Sequence, residues 1–388
     1  SIVNVVEIVA TIGAISGIAY NLLCFWSGFD FLRGSKLAGE GARPTPPVSI
    51  LKPLKGTDPG MYDSFRTHCL QDYPDYEIIF GVNDRNDPAV AVVERLKAEF
   101  PRQQIVLMVC DQLLGANVKV SNLAQMVAEA RHQYLVVSDS DIRVGPQYLS
   151  RVIAPLHDAK VGLVTCLYRG IAGPNLGSRL ESIGISTDFA PGVLAARIVE
   201  RGIHFGLGST LALRRTELAA IGGFESFADY LADDYELGRR ISELGLQVVL
   251  SNEVVDTFLP LYSLAEFIRH QLRWSRTVRG SRYWGFASLI FTFALPWAFL
   301  AVLFSEGEPW AWVLVLLALC LRLAVAVVVG DRVLQDKHCL RWAWLIPLRD
   351  VLAVFIWAAS LAGDRIAWRG DRFRLKDGKL VRLSRDGK

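Results

Sequence analysis

Paired cysteines are the first thing missing from this 388-residue chain. Cys24, Cys69, Cys110, Cys166, Cys320 and Cys339 are scattered, without the close spacings that build a zinc site or a disulfide framework. They read as small buried hydrophobes of a reducing compartment. Charge is missing from two stretches, residues 8–29 and 286–304. Each reaches the roughly 18 residues a helix needs to cross a hydrocarbon core, so both are expected to span. No basic leader or small-residue cleavage site accompanies the first run, which favours a retained anchor over a removed signal peptide. No nucleic-acid-binding motif accompanies the arginines, which argues against a nucleic-acid partner.

What is present is strongly apolar, with 52% hydrophobic residues and a mean hydropathy of +0.29. That composition suits one sizeable α/β domain plus membrane segments. The net charge of +3 is modest but unevenly placed. Lys36 and Arg43 follow the first apolar run, and Arg269, Arg273, Arg276, Arg279 and Arg282 precede the second, so the positive-inside tendency puts the intervening domain in the cytoplasm. Residues 310–330 are long enough to cross but carry Arg322, and residues 342–363 are broken by Arg349-Asp350 after Pro347. Ionisable groups at membrane depth face protein or a water-filled cavity. If all four stretches span, the basic tail of residues 364–388 ends outside, against that tendency; a re-entrant or interfacial 342–363 segment keeps it cytoplasmic and is the favoured reading. The tail itself reads as a hairpin, residues 373–375 and 380–383 around Lys376-Asp377-Gly378-Lys379.

After the linker Pro44-Thr45-Pro46-Pro47, short apolar runs at 48–51, 77–82, 105–109 and 134–137 alternate with helix-like stretches. Such alternation predicts a mostly parallel sheet covered on both faces. Residues 45–150 are expected to form a nucleotide-sugar half and residues 151–260 an acceptor half, the latter with an apolar run at 161–167, the turn Gly206-Leu207-Gly208 and a helix over 235–244. Residues 261–284 interleave Phe267, Leu272 and Trp274 with arginines, an amphipathic pattern suited to the membrane interface. In this reading residues 1–30 are the anchor, residues 285–363 are C-terminal membrane helices and residues 364–388 are the basic tail.

Three aspartate sites fall where strands or loops end, the places where α/β folds put ligand chemistry. Val137-Ser138-Asp139-Ser140-Asp141 is an apolar strand ending in two carboxylates that can address one divalent ion. Asp84 also follows an apolar strand, where a carboxylate can accept hydrogen bonds from a base or ribose, or simply close an Asx turn. Asp233-Asp234 opens a helix and reads either as an N-cap or, at Asp234, as a base for an alcohol nucleophile. Arg273 is either a headgroup contact or a cation for a leaving diphosphate, and Trp274 an interfacial aromatic. Lys52, Lys55 and Lys119 are weaker candidates for donor contacts.

Asp84, Ser138-Asp139-Ser140-Asp141, Ala232-Asp233-Asp234-Tyr235 and Gln271-Leu272-Arg273-Trp274 together resemble the D, D, D, (Q/R)xxRW pattern of inverting family 2-like glycosyltransferases with the GT-A fold. Leu51-Lys52-Pro53-Leu54-Lys55-Gly56 and Asp72-Tyr73-Pro74 look like the ceramide glucosyltransferase group, over residues 45–285. Within it, Leu163 to Gly170 and Thr187-Asp188-Phe189-Ala190-Pro191-Gly192 look most like the bacterial hopanoid-biosynthesis branch. The resemblance implies an α/β GT-A (Rossmann-like) cytoplasmic domain with N-terminal and C-terminal transmembrane helices, in a bacterial inner membrane. It implies a UDP-sugar donor with Mg²⁺ or Mn²⁺, and a lipid alcohol acceptor. The expected reaction moves N-acetylglucosamine to bacteriohopanetetrol, and the alternative is glucose transfer to ceramide. Asp84 would contact uridine, Asp139 and Asp141 the diphosphate and metal, and Asp234 would deprotonate the acceptor, while Arg273 and Trp274 would line the diphosphate and acceptor side. Two positions depart from the pattern: His270 replaces Gln or Arg three residues before Arg273, and Asp141 stands where ceramide enzymes tend to carry Gly. A processive polysaccharide synthase would need more spans than this chain offers. A non-enzymatic nucleotide-sugar-binding scaffold has against it that all the acidic groups are present.

Overall fold

The computed structural model describes residues 2–37 and 44–383; Arg43 and the side chain of Lys36, both read above as topology signals, lie outside the described residues. The chain divides into two compact units. An α/β unit comprises Glu40–Ile171, Gly202–Pro260 and Arg365–Lys388, and an apolar helical unit comprises Ser1–Gly39, Ala172–Arg201 and Leu261–Asp364.

The α/β unit is built on strands β1 (Val48–Pro53), β2 (Tyr76–Val82), β3 (Gln104–Val109), β4 (Tyr134–Val137), β5 (Ile142–Arg143), β6 (Val161–Ile171), β7 (Leu211–Arg214) and β8 (Gln247–Phe258). Their order is β3-β2-β1-β4-β7-β6-β8-β5. β1 and β2 are buried along their whole length, as parallel strands covered on both faces must be. Helices Met61–Cys69, Ala89–Glu99 and Val118–Glu129 make the connections among β1 to β4, and those strands run parallel. The sheet is mixed beyond that point, because β7 is antiparallel to both β4 and β6. No single crossover helix sets its direction: before reaching β7 the chain passes through Ala172–Arg201 of the other unit. Those residues therefore leave the expected acceptor half of the sheet domain. Phe65, Phe80 and Tyr148 fill the core between sheet and helices.

The C-terminal tail is a three-stranded antiparallel sheet, β9 (Arg365–Trp368), β10 (Asp371–Lys376) and β11 (Lys379–Arg382). Its hairpin turns at Asp377-Gly378, both with positive φ (50° and 77°), the Asp-Gly chemistry that a type I′ turn selects. The hairpin agrees with the sequence pattern, and β9 is an added strand. Leu380 N donates to Asp229 O at 2.7 Å and Leu231 N to Gly378 O at 3.2 Å, while Leu231 packs with Ile366, Phe373, Leu375 and Leu380. The tail thus belongs to the α/β unit, and any crossings between Pro260 and Arg365 must be even in number for it to return there.

In the apolar unit, Ile2–Ser35, Pro309–Val333 and Ala343–Ser360 are long and apolar enough to cross a membrane. The charge-free 286–304 run, expected to form one span, is instead divided between Tyr283–Thr292 and Ala294–Phe304, bent by 50°. Pro296, in the first turn of the second helix, has no N–H for the Thr292 carbonyl, and the chain breaks at Phe293 between the two helices. A Cβ on Gly17 would lie 2.6 Å from the Ala294 backbone, so only glycine permits this helix contact.

Arg322 is buried and bonds Asp350 through two nitrogens (2.9 and 2.7 Å), Asp188 at 2.8 Å and the Thr187 carbonyl at 2.6 Å. The ionisable groups of the apolar stretches face protein, as membrane depth demands. Phe267, read above as an interfacial residue, is buried against Leu180 and Ile183. Arg279 donates to the carbonyls of Ser360 (2.5 Å) and Gly363 (2.7 Å), and Arg276 to that of Ala362 (3.3 Å). These two arginines cap the C-terminal end of helix Ile346–Ser360, where unpaired carbonyls favour cations.

Substituting Asp350→Leu leaves Arg322 short of its bidentate partner, and breaking such a buried pair costs about 3–5 kcal/mol. Thermal unfolding in detergent should show a lower midpoint for that variant, and Arg322→Met with Asp350→Leu together should recover most of the loss.

Candidate active site

β4 delivers Ser138 to Asp141 to the edge of the sheet, and helix Val118–Glu129 brings Lys119 alongside. Lys119 Nζ lies 2.7 Å from Asp139 Oδ1 and 3.1 Å from Asp233 Oδ2. Burial opposes its charge, but Asp139 and Asp233 outweigh that and raise its pKa. Asp233 and Asp234 form the first turn of helix Asp233–Glu243, whose N-cap is Ala232, so neither acts as the cap. Asp234 Oδ2 accepts from Gly208 N at 2.8 Å and Oδ1 from Tyr235 N at 2.8 Å. Burial first, and Asp233 second, push the Asp234 carboxyl up to about 6.

Gly208 is a residue that the sequence showed only as part of a glycine-rich turn. A Cβ there would stand 2.9 Å from Asp139 Oδ2, 3.4 Å from Asp234 Oδ2 and 3.7 Å from Lys119 Nζ. Its bare backbone is what lets these three groups converge. Asp141 takes a different position: Thr257 Oγ1 donates to its Oδ2 at 2.7 Å, and burial, followed by Asp139, raises its pKa to about 6. Asp58 joins the acidic cluster by accepting from the Ser140 hydroxyl.

Lys52 does not reach a donor. It is fully buried beneath the turn, with Nζ donating to Asp139 O (2.8 Å) and Ser138 Oγ (3.2 Å), and burial lowers its pKa to about 7. It holds the backbone that presents Asp139. Asp84 is exposed after β2 and accepts from Asn86 N at 2.9 Å, an Asx turn, whereas Asn83 beside it lines a cavity of about 200 Å³ together with Lys55, Asp111 and Asn122. A smaller cavity of about 40 Å³ shares Lys55 and Asn122 and is also lined by Lys119, Asp139 and Ser140. Among the described residues no three His, Cys, Asp or Glu side chains are set to enclose a metal, so any ion here would need ligands from a substrate.

Arg273 and Trp274 are carried by helix Leu264–Ser281 of the apolar unit, which starts with a Ser263/Glu266 capping box. His270 stacks on Tyr262 (ring centroids 5.2 Å) and lies 5.2 Å from Trp274, with Nδ1 3.2 Å from the buried Glu181.

A GT-A-like sheet with carboxylates gathered beside a cavity is a frame that nucleotide-sugar glycosyltransferases use. Residues 9–381 match the model of Glycosyl transferase family 21, and the chain belongs to that family. Among its relatives, Ceramide glucosyltransferase 1 of Caenorhabditis elegans is 22% identical over 352 residues, 88% of this chain and 74% of that protein. Ceramide glucosyltransferase 3 of the same organism is 26% identical over 230 residues, 59% of this chain and 50% of that protein. The chain thus spans between half and three quarters of the length of these two relatives. The solved structure of the mannosyltransferase PcManGT from Pyrobaculum calidifontis, in complex with GDP-Man and Mn²⁺, shares the fold with a TM-score of 0.55 at 18% identity, over 93% of this chain and 100% of that one.

Lys119→Met removes a cation that touches both Asp139 and Asp233, and Gly208→Ala forces a methyl between Asp139 and Asp234. Both variants are expected to lose activity at least tenfold in a radiolabelled-sugar transfer assay, Lys119→Met with a lowered unfolding temperature as well, because it leaves buried carboxylates uncompensated.

Proposed function

We propose that this protein transfers a hexose from a UDP-sugar to the hydroxyl of a lipid alcohol with inversion, and that the acceptor is a ceramide and the sugar glucose. The observation carrying the reaction is Asp234: a partly buried carboxylate of raised basicity, anchored by Gly208 N, with Asp139 and Lys119 beside it. The ceramide glucosyltransferase relatives support the acceptor, so the glucosylceramide reading is preferred to transfer of N-acetylglucosamine to a hopanoid.

Asp234 takes the proton of the acceptor hydroxyl as its oxygen bonds to the anomeric carbon; the bond from that carbon to the diphosphate oxygen breaks, and UDP leaves with the electron pair. Attack opposite the leaving group turns an α-linked donor into a β-glycoside. Asp139 and Asp141 are the carboxylates this reading offers to a hard divalent cation, whose remaining ligands would have to come from substrate phosphates. Mg²⁺ or Mn²⁺ bound there would supply charge neutralisation for the departing diphosphate. Asp84 and Asn83 would face the nucleoside side. The family pattern assigns Arg273 and Trp274 to the diphosphate and acceptor side. The arginines preceding the bent helix pair support a cytoplasmic catalytic unit on the membrane; a bacterial inner membrane goes with the hopanoid reading.

The purified protein incubated with UDP-glucose or UDP-N-acetylglucosamine and with ceramide or bacteriohopanetetrol, read by mass spectrometry, should yield glucosylceramide. A product only from bacteriohopanetetrol would replace the acceptor, and no glycolipid from any pair would remove the enzymatic reading. Asp234→Asn should lower kcat by roughly 10²–10⁴-fold while UDP binding persists. Because Asp234 must be ionised to act and its pKa is held at about 6, the rate should fall as pH drops below about 6 and level off above it. Asp233→Asn, by deleting the like charge, should move that limb to lower pH. Excess EDTA should abolish transfer, with Mg²⁺ or Mn²⁺ restoring it.

A further inference from the structure

We propose that the C-terminal three-stranded sheet is a wall of the nucleotide-sugar site and that Arg382, acting with Lys55, binds the diphosphate of the donor. The inference rests on the donor reading above and adds a binding residue to it. The 200 Å³ cavity beside Asn83 and Asp111 is closed on one side by Asp371 and Arg382 of the tail. The adjoining 40 Å³ cavity, which reaches Lys119 and Asp139, is closed by Trp368, Arg369, Asp371 and Phe373. Lys55, Asn122 and Asp371 line both, so the two cavities are neighbours between the tail and the carboxylates.

The wall is built into the unit rather than laid upon it. β11 pairs with the Asp229–Leu231 segment through backbone hydrogen bonds, and the same segment anchors the loop before Lys119: Ala116 N donates to Asp229 Oδ1 at 2.9 Å, and Asn117 Nδ2 to Tyr230 O at 2.8 Å. Arg369 Nη1 donates to Lys55 O at 2.9 Å, which ties the turn between β9 and β10 to the loop that follows β1. Alternation along β10 buries Phe373 and Leu375 and exposes Arg372 and Arg374. Most of the basic charge of the tail therefore points away, and Arg382 is selected to line the larger cavity.

Its surroundings suit an anion. Arg382 is held with its guanidinium 5.7 Å from the centroid of the Phe373 ring and 3.7 Å from Asp371 Oδ2, while Lys55 Nζ is 3.8 Å from the same oxygen. Both separations exceed N–H···O hydrogen-bond length, so two cations share one carboxylate without hydrogen-bonding to it. A nucleoside diphosphate entering the cavity brings the oxygens that Asp371 supplies only at a distance. Arginine's planar fork can take two of them at once.

The full-length protein in detergent, titrated calorimetrically with UDP and separately with uridine, tests this. Arg382→Ala should weaken UDP binding about tenfold, the loss expected of a charge-assisted bond, and leave uridine unchanged. Arg382→Lys should recover part of the loss, and Arg372→Ala, on the exposed face of the same sheet, should bind as wild type. UDP affinity within about twofold of wild type in Arg382→Ala would overturn the assignment, as would an equal loss for UDP and uridine, which would mean that the sheet had merely come apart. Failure of the wild-type protein itself to bind UDP would bring down the donor reading and this inference with it, whereas an unaffected Arg382→Ala beside a wild type that binds would sink the inference alone.

Discussion

Three carboxylates, Asp139, Asp233 and Asp234, stand around the ammonium of Lys119, and the geometry of the candidate site depends on that imbalance. One positive charge satisfies Asp139 and Asp233 at hydrogen-bond distance and leaves Asp234 with backbone donors. Burial first, and the neighbouring Asp233 second, then make Asp234 a stronger base than a free aspartate. The arrangement needs a glycine at position 208, since any side chain there would push the carboxylates apart. A buried ammonium is costly to desolvate, and only its partners keep it charged.

The apolar unit meets the same constraint differently. Arg322 cannot stay charged among lipid-length helices unless every donor finds an acceptor, and Asp350, Asp188 and the Thr187 carbonyl supply them. The acceptors come from distant parts of the sequence, 28 residues away for Asp350 and 134 for Asp188. The segment Ala172–Arg201 is consequently part of the helical unit rather than of the sheet domain between whose strands it lies in sequence.

The return of the tail to the α/β unit links topology with the donor site. A chain that leaves the sheet domain at Pro260 and re-enters it at Arg365 must end on the side from which it started. Arg382 of β11 thereby lines the larger cavity, while Arg372 and Arg374 of β10 stay exposed.

Much of this was readable from residue order because it depends on local physics. Apolar runs of strand length located β1 to β4 and β6; a strand ending in Asp-x-Asp located the turn at 138–141; and Asp377-Gly378 announced a hairpin, since few other dipeptides accept positive φ twice. Charge-free length marked the apolar helices, although one such run breaks at Phe293. Contacts between distant residues decided the rest. Lys52 and Lys119 look alike in sequence, yet one is sealed beneath the turn and the other bridges two carboxylates, because helix and strand packing alone determine which ammonium faces the cavity. Asn83 lines the cavity while Asp84 beside it closes an Asx turn, because successive residues leaving a strand point in different directions. The antiparallel entry of β7, the capping roles of Arg276 and Arg279, and the presence of Arg382 at the nucleotide cavity all require the chain to close on itself over many tens of residues, and no local pattern encodes that closure.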